Sequence, residues 1–370
     1  MNNSKIDFLY LNEEDMIRAG VLDMPGCICA MEDAFELLGK GDYVCGGMDR
    51  NRHGITLSFP DDPVGLMPKN GPDRRFSGMS AYVGGNYDVC GMKWYGSNKE
   101  NQKKELPRSV AMMILNDKSS GAPIALMSAS ILSGMRTGAV MGLGAKRLAD
   151  PESRVLSVIG PGVVNNYAVR AYMETMKHLE TVIIYGTDMD DSRKFAEFVN
   201  STYPRVNAVI VSDLKDAVKN ADIISAAVSG YAPEPHFTKD MLKEGSLLIS
   251  MSAVSADSEL ALSSNCVVDN WKMYPEEAKT IDRPCFRSNN NLGFLFLDMV
   301  ENGKMNISEI INLYDTDKLS SKAFDRSRTT LLSLYGIAVE DVIWGYQVYC
   351  SAKKDGIGQI LNLWDTPANI

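Results

Sequence analysis

Apolar residues recur along this chain with two different periods, and the changes from one to the other mark its organisation. Over 24–38 they return every three or four positions, which predicts a helix with one buried face. A polar stretch rich in glycine and proline follows over 39–72. Residues 76–83 and 89–95 are apolar and aromatic with Gly84, Gly85 and Asn86 between them, the pattern of two antiparallel strands joined by a turn. Residues 111–115 and 123–127 repeat strand, turn and strand about Asn116, Asp117 and Gly121. Such a sheet with one amphipathic helix makes the N-terminal region an α+β unit.

From Ser130 small and apolar residues at helical spacing run to Lys146, Arg147 and Pro151, and predict a connecting helix. Strand and helix signals then alternate: RVLSVIG, NNYAVRAYMETMKH, TVIIYG, DSRKFAEFVNSTY, NAVIVSD, LKDAVKNA, DIISAAVS, KDMLKEG and SLLISMS. This alternation is the signature of βαβ units in a parallel sheet covered on both faces. From about Ile307 the chain returns to helical periodicity, and SRTTLLSLYGIAVEDVIWGYQVYCSAKK predicts a C-terminal helix that completes the first domain. The expected fold class is α/β, a Rossmann dinucleotide-binding domain over 131–319 plus an α+β domain over 1–130 and 320–370.

Composition agrees with two domains and narrows the ligand. A chain of 370 residues, 45% hydrophobic and 23% charged, can bury two ordinary cores. Its net charge of -9 and pI near 5.0 argue against nucleic acid, whose backbone is held by clustered Lys and Arg, and for a small-molecule ligand. The N-terminal segment lacks a basic and then apolar leader, and no run approaches the roughly 20 apolar residues of a membrane span. A cytoplasmic protein without a membrane partner is expected. Seven cysteines without CxxC spacing read as free thiols in a reducing compartment, and with only 3 histidines no metal site is expected.

The chemistry concentrates at Gly160, Pro161 and Gly162, a GxG directly after a strand and before a helix. One glycine permits the tight turn, the other lets the backbone approach a pyrophosphate, and the helix N-terminus offers free N–H groups. Such a turn is also an ordinary strand-to-helix connection, but the βαβ context favours a cofactor. Val163 and Val164 open the helix, and the third glycine position is Asn165. The end of the second strand, where an acid meets the adenosine ribose of NAD, holds Gly186, Thr187 and then Asp188. With Arg193 and Lys194 opening the next helix, this leans toward NADP, although Asp188 is able to serve NAD and the two cations to be solvated. Ala227, Val228 and Ser252, at the ends of later strands, complete the expected cofactor set.

MSAYVGG at 79–85, GMKWYGS at 91–97, ELPRSVAMMILND at 105–117 and SGMRTGAVMGLGAKRLA at 133–149 resemble the ornithine cyclodeaminase/mu-crystallin family. The VIGPG turn, Glu234-Pro235, Glu259-Leu260 and GIAVEDV at 336–342 extend the resemblance over most of the chain. GMKW with ELPRS and ILND places it nearer the N-(2-amino-2-carboxyethyl)-glutamate dehydrogenases and imine reductases than the cyclodeaminases proper. The resemblance implies a homodimer with the first domain at the interface. It also implies a substrate site of Lys93, Arg136, Thr137 and an upstream arginine, Arg52 in first place and Arg50 in second. Arginine offers a carboxylate a planar two-donor fork, and Lys93 is both a substrate ligand and the candidate catalytic acid/base. Read without the family, each of these is an ordinary ion-pair residue, but Lys93 lies inside an apolar run where a solvated charge has no place.

Three departures shape the expected activity. The family aspartate that acts in ornithine cyclisation falls at Ala253, with Asp257 four residues later. The usual glutamine after the GxG is Val164, and a charged insertion spans 69–75, either a lid or a surface loop. Loss of the aspartate favours hydride transfer at the C–N bond of an amino or imino acid by an NAD(P)-dependent oxidoreductase. Two alternatives remain: an ornithine cyclodeaminase that releases ammonia using bound NAD, and a non-catalytic, nucleotide-dependent binder of the mu-crystallin type. Tyr82, Trp94 and Tyr95 are apolar candidates for the pocket or for the core.

Overall fold

Segments of alternating burial pair into a mixed sheet in the first of two units, Met1–Arg136 with Ile337–Ile370. The computed structural model describes residues 4–228, 234–321 and 324–368. The strands are β1 (Ile6–Leu11), β2 (Tyr43–Cys45), β3 (Ile55–Ser58), β4 (Arg75–Val83), β5 (Val89–Ser97), β6 (Ser109–Asn116) and β7 (Pro123–Ser128). They lie in the order β1-β7-β6-β5-β4-β2, with β3 also on β4 and the last strand, Gln359–Trp364, on the other side of β1. Only β1 and β7 run parallel. The expected hairpins are present, and Met79, Lys93 and Met113 lie opposite one another across β4, β5 and β6. Two of the strands, β2 and β3, fall within the stretch that sequence reads only as polar.

One face of this sheet buries Met79, Ala81, Val83, Met113, Leu115 and Met127. The helix Ala338–Asp355 packs on β4, β5 and β6, and the helix Met24–Lys40 packs on that helix in turn. Asp23 caps Met24–Lys40 through Gly26 N–H, and Gly41, at φ 72, ends it. The opposite face leaves Phe76, Trp94, Val110 and Met112 at 40–51% exposure.

The second unit, Thr137–Gly336, is organised around a parallel sheet. Its strands are β8 (Val155–Ile159), β9 (Thr181–Tyr185), β10 (Asn207–Val211), β11 (Ile223–Ala226), β12 (His236–Phe237), β13 (Leu247–Ser250), β14 (Ser255–Ala256), β15 (Asn265–Val268), β16 (Ile310–Asn312) and β17 (Thr330–Ser333). The main sheet has the order β10-β9-β8-β11-β13-β17-β15-β16, and β12 pairs with β14 apart from it. Strand order reverses beside β8, which places a ligand crevice at the carboxyl ends of β8 and β11. Every residue of β11, β13, β15 and β17 is buried, as strands covered on both faces require.

The expected helical tail is corrected here. Sequence reading returns 320–336 to the first domain with helical periodicity, whereas the structure makes Thr330–Ser333 a strand between β13 and β15 in the second unit. A short apolar run buried on both faces has no alternation, so period alone does not tell it from a buried helical turn. The C-terminal helix starts only after Gly336, whose φ is 90. Among the described residues, no helix is long and apolar enough to cross a membrane. All seven cysteines are free, and Cys27, Cys45, Cys266 and Cys285 are buried.

Candidate active site

Lys93 stands in the middle of β5 on the face covered by the helix Ala338–Asp355, and only 2% of it is exposed. An ammonium in such a place needs partners that replace water. Its Nζ donates to Asp341 Oδ1 at 2.9 Å and Oδ2 at 2.8 Å, and to Ser133 Oγ at 3.0 Å. Arg136 donates from Nε to Asp341 Oδ1 at 3.1 Å and from Nη1 to Glu340 Oε2 at 2.5 Å. Ser133 and Arg136 lie three residues apart on the connecting helix Ser130–Leu148, hence on one side of it. Glu340 and Asp341 occupy the first turn of the C-terminal helix, where the helix dipole favours negative charge.

Two cations and two carboxylates thus balance inside the sheet–helix layer. Burial pulls Lys93 down to about 8; Asp341 opposes that shift and Arg136 adds to it. Burial also works against the charge of Arg136, but Asp341 and Glu340 outweigh it and hold the guanidinium protonated. Nη2 of Arg136 has no acceptor among the described residues, so the outer edge of its fork is available to a ligand. Burial pushes the thiol of Cys27 well up and that of Cys45 up to about 12, which leaves both protonated and unreactive near the cluster.

The remaining candidates divide. Thr137 is buried next to Arg136 in sequence. Arg52 is half-buried where its N–H meets Gly46 O at 2.9 Å. Arg50 is exposed at a turn, with φ 59. Tyr95 shares the face of Lys93, whose Nζ lies 5.7 Å from its ring. Trp94 does not: it is 46% exposed on the opposite face and stacks on Phe76 with centroids 5.9 Å apart. Tyr82 donates to Asp88 at 2.9 Å, on an exposed part of the surface.

In the second unit the GxG turn stands at the carboxyl end of β8. Gly160 has φ 87, and a Cβ there would meet Ala227 O at 2.6 Å and Val228 Cγ1 at 3.0 Å, so only glycine fits. Gly162 is the N-cap of the helix Val163–Thr175 and brings no side chain to the helix N-terminus. Val163 is exposed and Val164 half-buried in that first turn. Asn165, noted in sequence only as a missing glycine, is fully buried and staples the turn from beneath. Its amide donates to Ile159 O at 3.1 Å and Gly160 O at 2.7 Å, and accepts from Ser225 Oγ at 2.6 Å. Val228 N–H donates to Ser252 Oγ at 2.8 Å, tying the ends of β11 and β13 together beside the turn. These residues fit the pyrophosphate of a dinucleotide: a side-chain-free cradle, a bare helix N-terminus and the strand-order reversal coincide.

At the end of β9, Gly186 is held against the turn, since a Cβ there would lie 2.7 Å from Pro161. Thr187 is exposed. Asp188 caps the helix Met189–Thr202 through the N–H groups of Asp190 and Asp191, which hold its carboxyl below the usual range. Arg193 forms a 2.8 Å ion pair with Asp190, so the structure shows it engaged with its own helix. Asp257 is an N-cap residue 3.2 Å from His236 Nε2, and Ala253 brings no carboxylate to the loop after β13. Asp269 went unnoticed in the sequence. It is buried after β15, accepts N–H from Asn270, Tyr335 and Gly336, and receives the Tyr274 hydroxyl at 3.2 Å. Burial raises its carboxyl despite those donors. A lone aspartate in CVVDN gives no sequence signal of such a knot.

With this geometry in hand, comparison with known proteins is specific. The model of the Ornithine cyclodeaminase/mu-crystallin family matches residues 27–356. The N-((2S)-2-amino-2-carboxyethyl)-L-glutamate dehydrogenase of Staphylococcus aureus (strain NCTC 8325 / PS 47) is 27% identical over 361 residues, 97% of this chain and 99% of the relative. Thermococcus litoralis Delta(1)-pyrroline-2-carboxylate reductase, solved with NADH and L-proline, superposes with a TM-score of 0.77 at 24% identity, covering 95% of this chain and 99% of that one. An archaeal alanine dehydrogenase dimer with bound NAD gives a TM-score of 0.77 at 21% identity, covering 97% and 100%. At those identities the two solved structures establish the shared fold.

Proposed function

This chain belongs to the ornithine cyclodeaminase/mu-crystallin family, and from that premise we propose that it is a nicotinamide-dependent oxidoreductase acting on the C–N bond of an amino or imino acid. The observation that carries the reading is Lys93, buried to 2% yet lowered only to about 8. A lysine with that value exchanges a proton near neutral pH and is roughly one-tenth neutral at pH 7. The full-length likeness to a glutamate-derived amino-acid dehydrogenase supports it.

A dinucleotide held by its pyrophosphate at Gly160–Gly162 would supply the hydride chemistry; the remaining work falls to the protein. Arg136 offers Nη2 to the substrate carboxylate while Asp341 and Glu340 fix its other edge, so orientation is set before substrate arrives. Thr137 and Arg52 complete the proposed substrate set. In the oxidative direction, neutral Lys93 Nζ takes the proton of the substrate nitrogen as its lone pair forms the C=N bond. In reduction, protonated Nζ returns that proton to nitrogen. Asp341 and Ser133 hold Nζ in place throughout.

Gly186, Thr187, Arg193 and Lys194 support NADP, and Asp188, Asp190 and Asp191 in the same helical turn support NAD. Relative KM values for the two coenzymes decide. A homodimer is proposed through the apolar outer face of the first sheet, and a cytoplasmic setting is supported by the seven free cysteines. The test is absorbance of reduced coenzyme with a panel of 2-oxo acids and amines. Consumption that requires both partners is expected. Proline and ammonia from ornithine, without net reduced coenzyme, would instead establish cyclodeaminase chemistry, against the absence of a carboxylate at Ala253. Tight ligand binding without turnover would identify a binder.

A further inference from the structure

Apart from the coenzyme turn, the second unit carries a cavity of about 400 Å³ against the helix Leu292–Glu301. None of the residues assigned above to coenzyme or substrate lines it. Its apolar wall is Leu295 and Met299, one turn apart on that helix, with the half-buried Phe286. The segment that carries Phe286 is fixed to the helix, because the carboxylate of Asp298 accepts the N–H groups of Cys285 and Phe286, each at 2.8 Å. Asn302 donates to Asp298 O at 2.7 Å and Lys304 N–H to Met299 O at 2.9 Å, which holds the turn after the helix. The backbone around the cavity is thus in place before a ligand arrives, and binding there does not have to order it.

Two cations line the same cavity. Arg287 extends from the segment that Asp298 holds and Lys304 from the turn after the helix, and both are exposed. Neither has an ion pair or a side-chain hydrogen bond among the described residues. The two acids of the helix are engaged elsewhere. Glu301 takes Arg283 Nε at 2.9 Å and Nη2 at 3.0 Å, and Asp298, 7% exposed, spends its oxygens on the two N–H groups. A chain of net charge -9 therefore keeps two cations without a counter-charge beside apolar surface. The volume falls within the range of small-molecule sites, about 300–1,000 Å³, which pair an apolar lining with a few polar groups. Because the N–H groups of Cys285 and Phe286 are already used, the donors left to a ligand are one guanidinium fork and one ammonium. That set suits a carboxylate, which the fork meets with two parallel hydrogen bonds.

We propose that this cavity is a binding site for a small carboxylate with an apolar body, the carboxylate held by Arg287 and Lys304 and the body laid on Phe286, Leu295 and Met299. The site is independent of the chemistry at Lys93, so its test needs no turnover. The full chain, in excess reduced nicotinamide coenzyme to occupy the GxG crevice, is titrated with 3-phenylpropionate by calorimetry. One probe per chain is expected. Acetate, which has the charge without the body, and 3-phenylpropan-1-ol, which has the body without the charge, should each bind about tenfold more weakly or worse. Arg287→Gln and Lys304→Gln are each expected to weaken the carboxylate about threefold to tenfold, as for ion pairs at a part-exposed site, while thermal unfolding stays unchanged because both side chains are exposed and unpaired. Ser258, exposed at the first position of a helix and part of the lining, gives an independent variant: Ser258→Trp should fill the cavity and exclude the probe. Absence of binding in wild type overturns the site. So does binding that neither glutamine substitution weakens, since the probe then lies elsewhere, and so does an alcohol that binds as well as the carboxylate, since the cations then contribute nothing.

Discussion

Asp341 takes hydrogen bonds from Lys93 and Arg136 together, and that sharing makes the activity sensitive to pH in a direction fixed by structure. Amine oxidation needs neutral Lys93, so its kcat/KM is expected to rise through about pH 8, while imine reduction falls over the same range. Asp341 opposes the effect of burial. In Asp341→Asn the inflection should therefore move to lower pH, by roughly one unit for a neighbouring charge removed, and the pH profile checks it. Lys93→Met should lower kcat/KM by about a hundredfold or more, with dinucleotide affinity retained, as expected for loss of acid–base help alone. Lys93 was legible in sequence because a charge inside GMKWY has no solvated explanation. Asp341 was not, since Glu-Asp at a helix start is what capping alone would produce.

The cradle and the parallel sheet show what a segment pattern reveals and what it hides. Strand, glycine turn and helix were readable because periodicity changes at Gly160, but the function of Asn165 depends on carbonyls that only folding brings beneath it. Asn165→Ala is expected to destabilise the second unit by about 1–3 kcal/mol, the cost of leaving buried groups unpaired, and to weaken dinucleotide binding. Thermal unfolding and coenzyme titration measure the two effects. β17 was misread as helix because TLLS is buried on both sides. Leu331→Ala should then cost about 2–5 kcal/mol, as in a core strand, and a value under 1 would contradict that placement.

For the whole molecule, the exposed Phe76, Trp94, Val110 and Met112 form an apolar face on a charged protein, and such a face calls for a partner. Met112→Glu is expected to convert a dimer to a monomer in sedimentation, and an unchanged mass would remove this face from the interface. The return of the C-terminal helix to the first unit was legible from its periodicity, although the final strand Gln359–Trp364 was not, because its residues are mostly exposed at a sheet edge. That return also sets a timetable for biosynthesis. The strands that carry Lys93 leave the ribosome early, but Asp341 and the helix that roofs them emerge about 250 residues later, some tens of seconds at ordinary elongation rates. Throughout that interval the nascent first unit has its future core open and its lysine without a counter-charge, so chaperone capture during translation is the expected fate of this protein's unfinished chains.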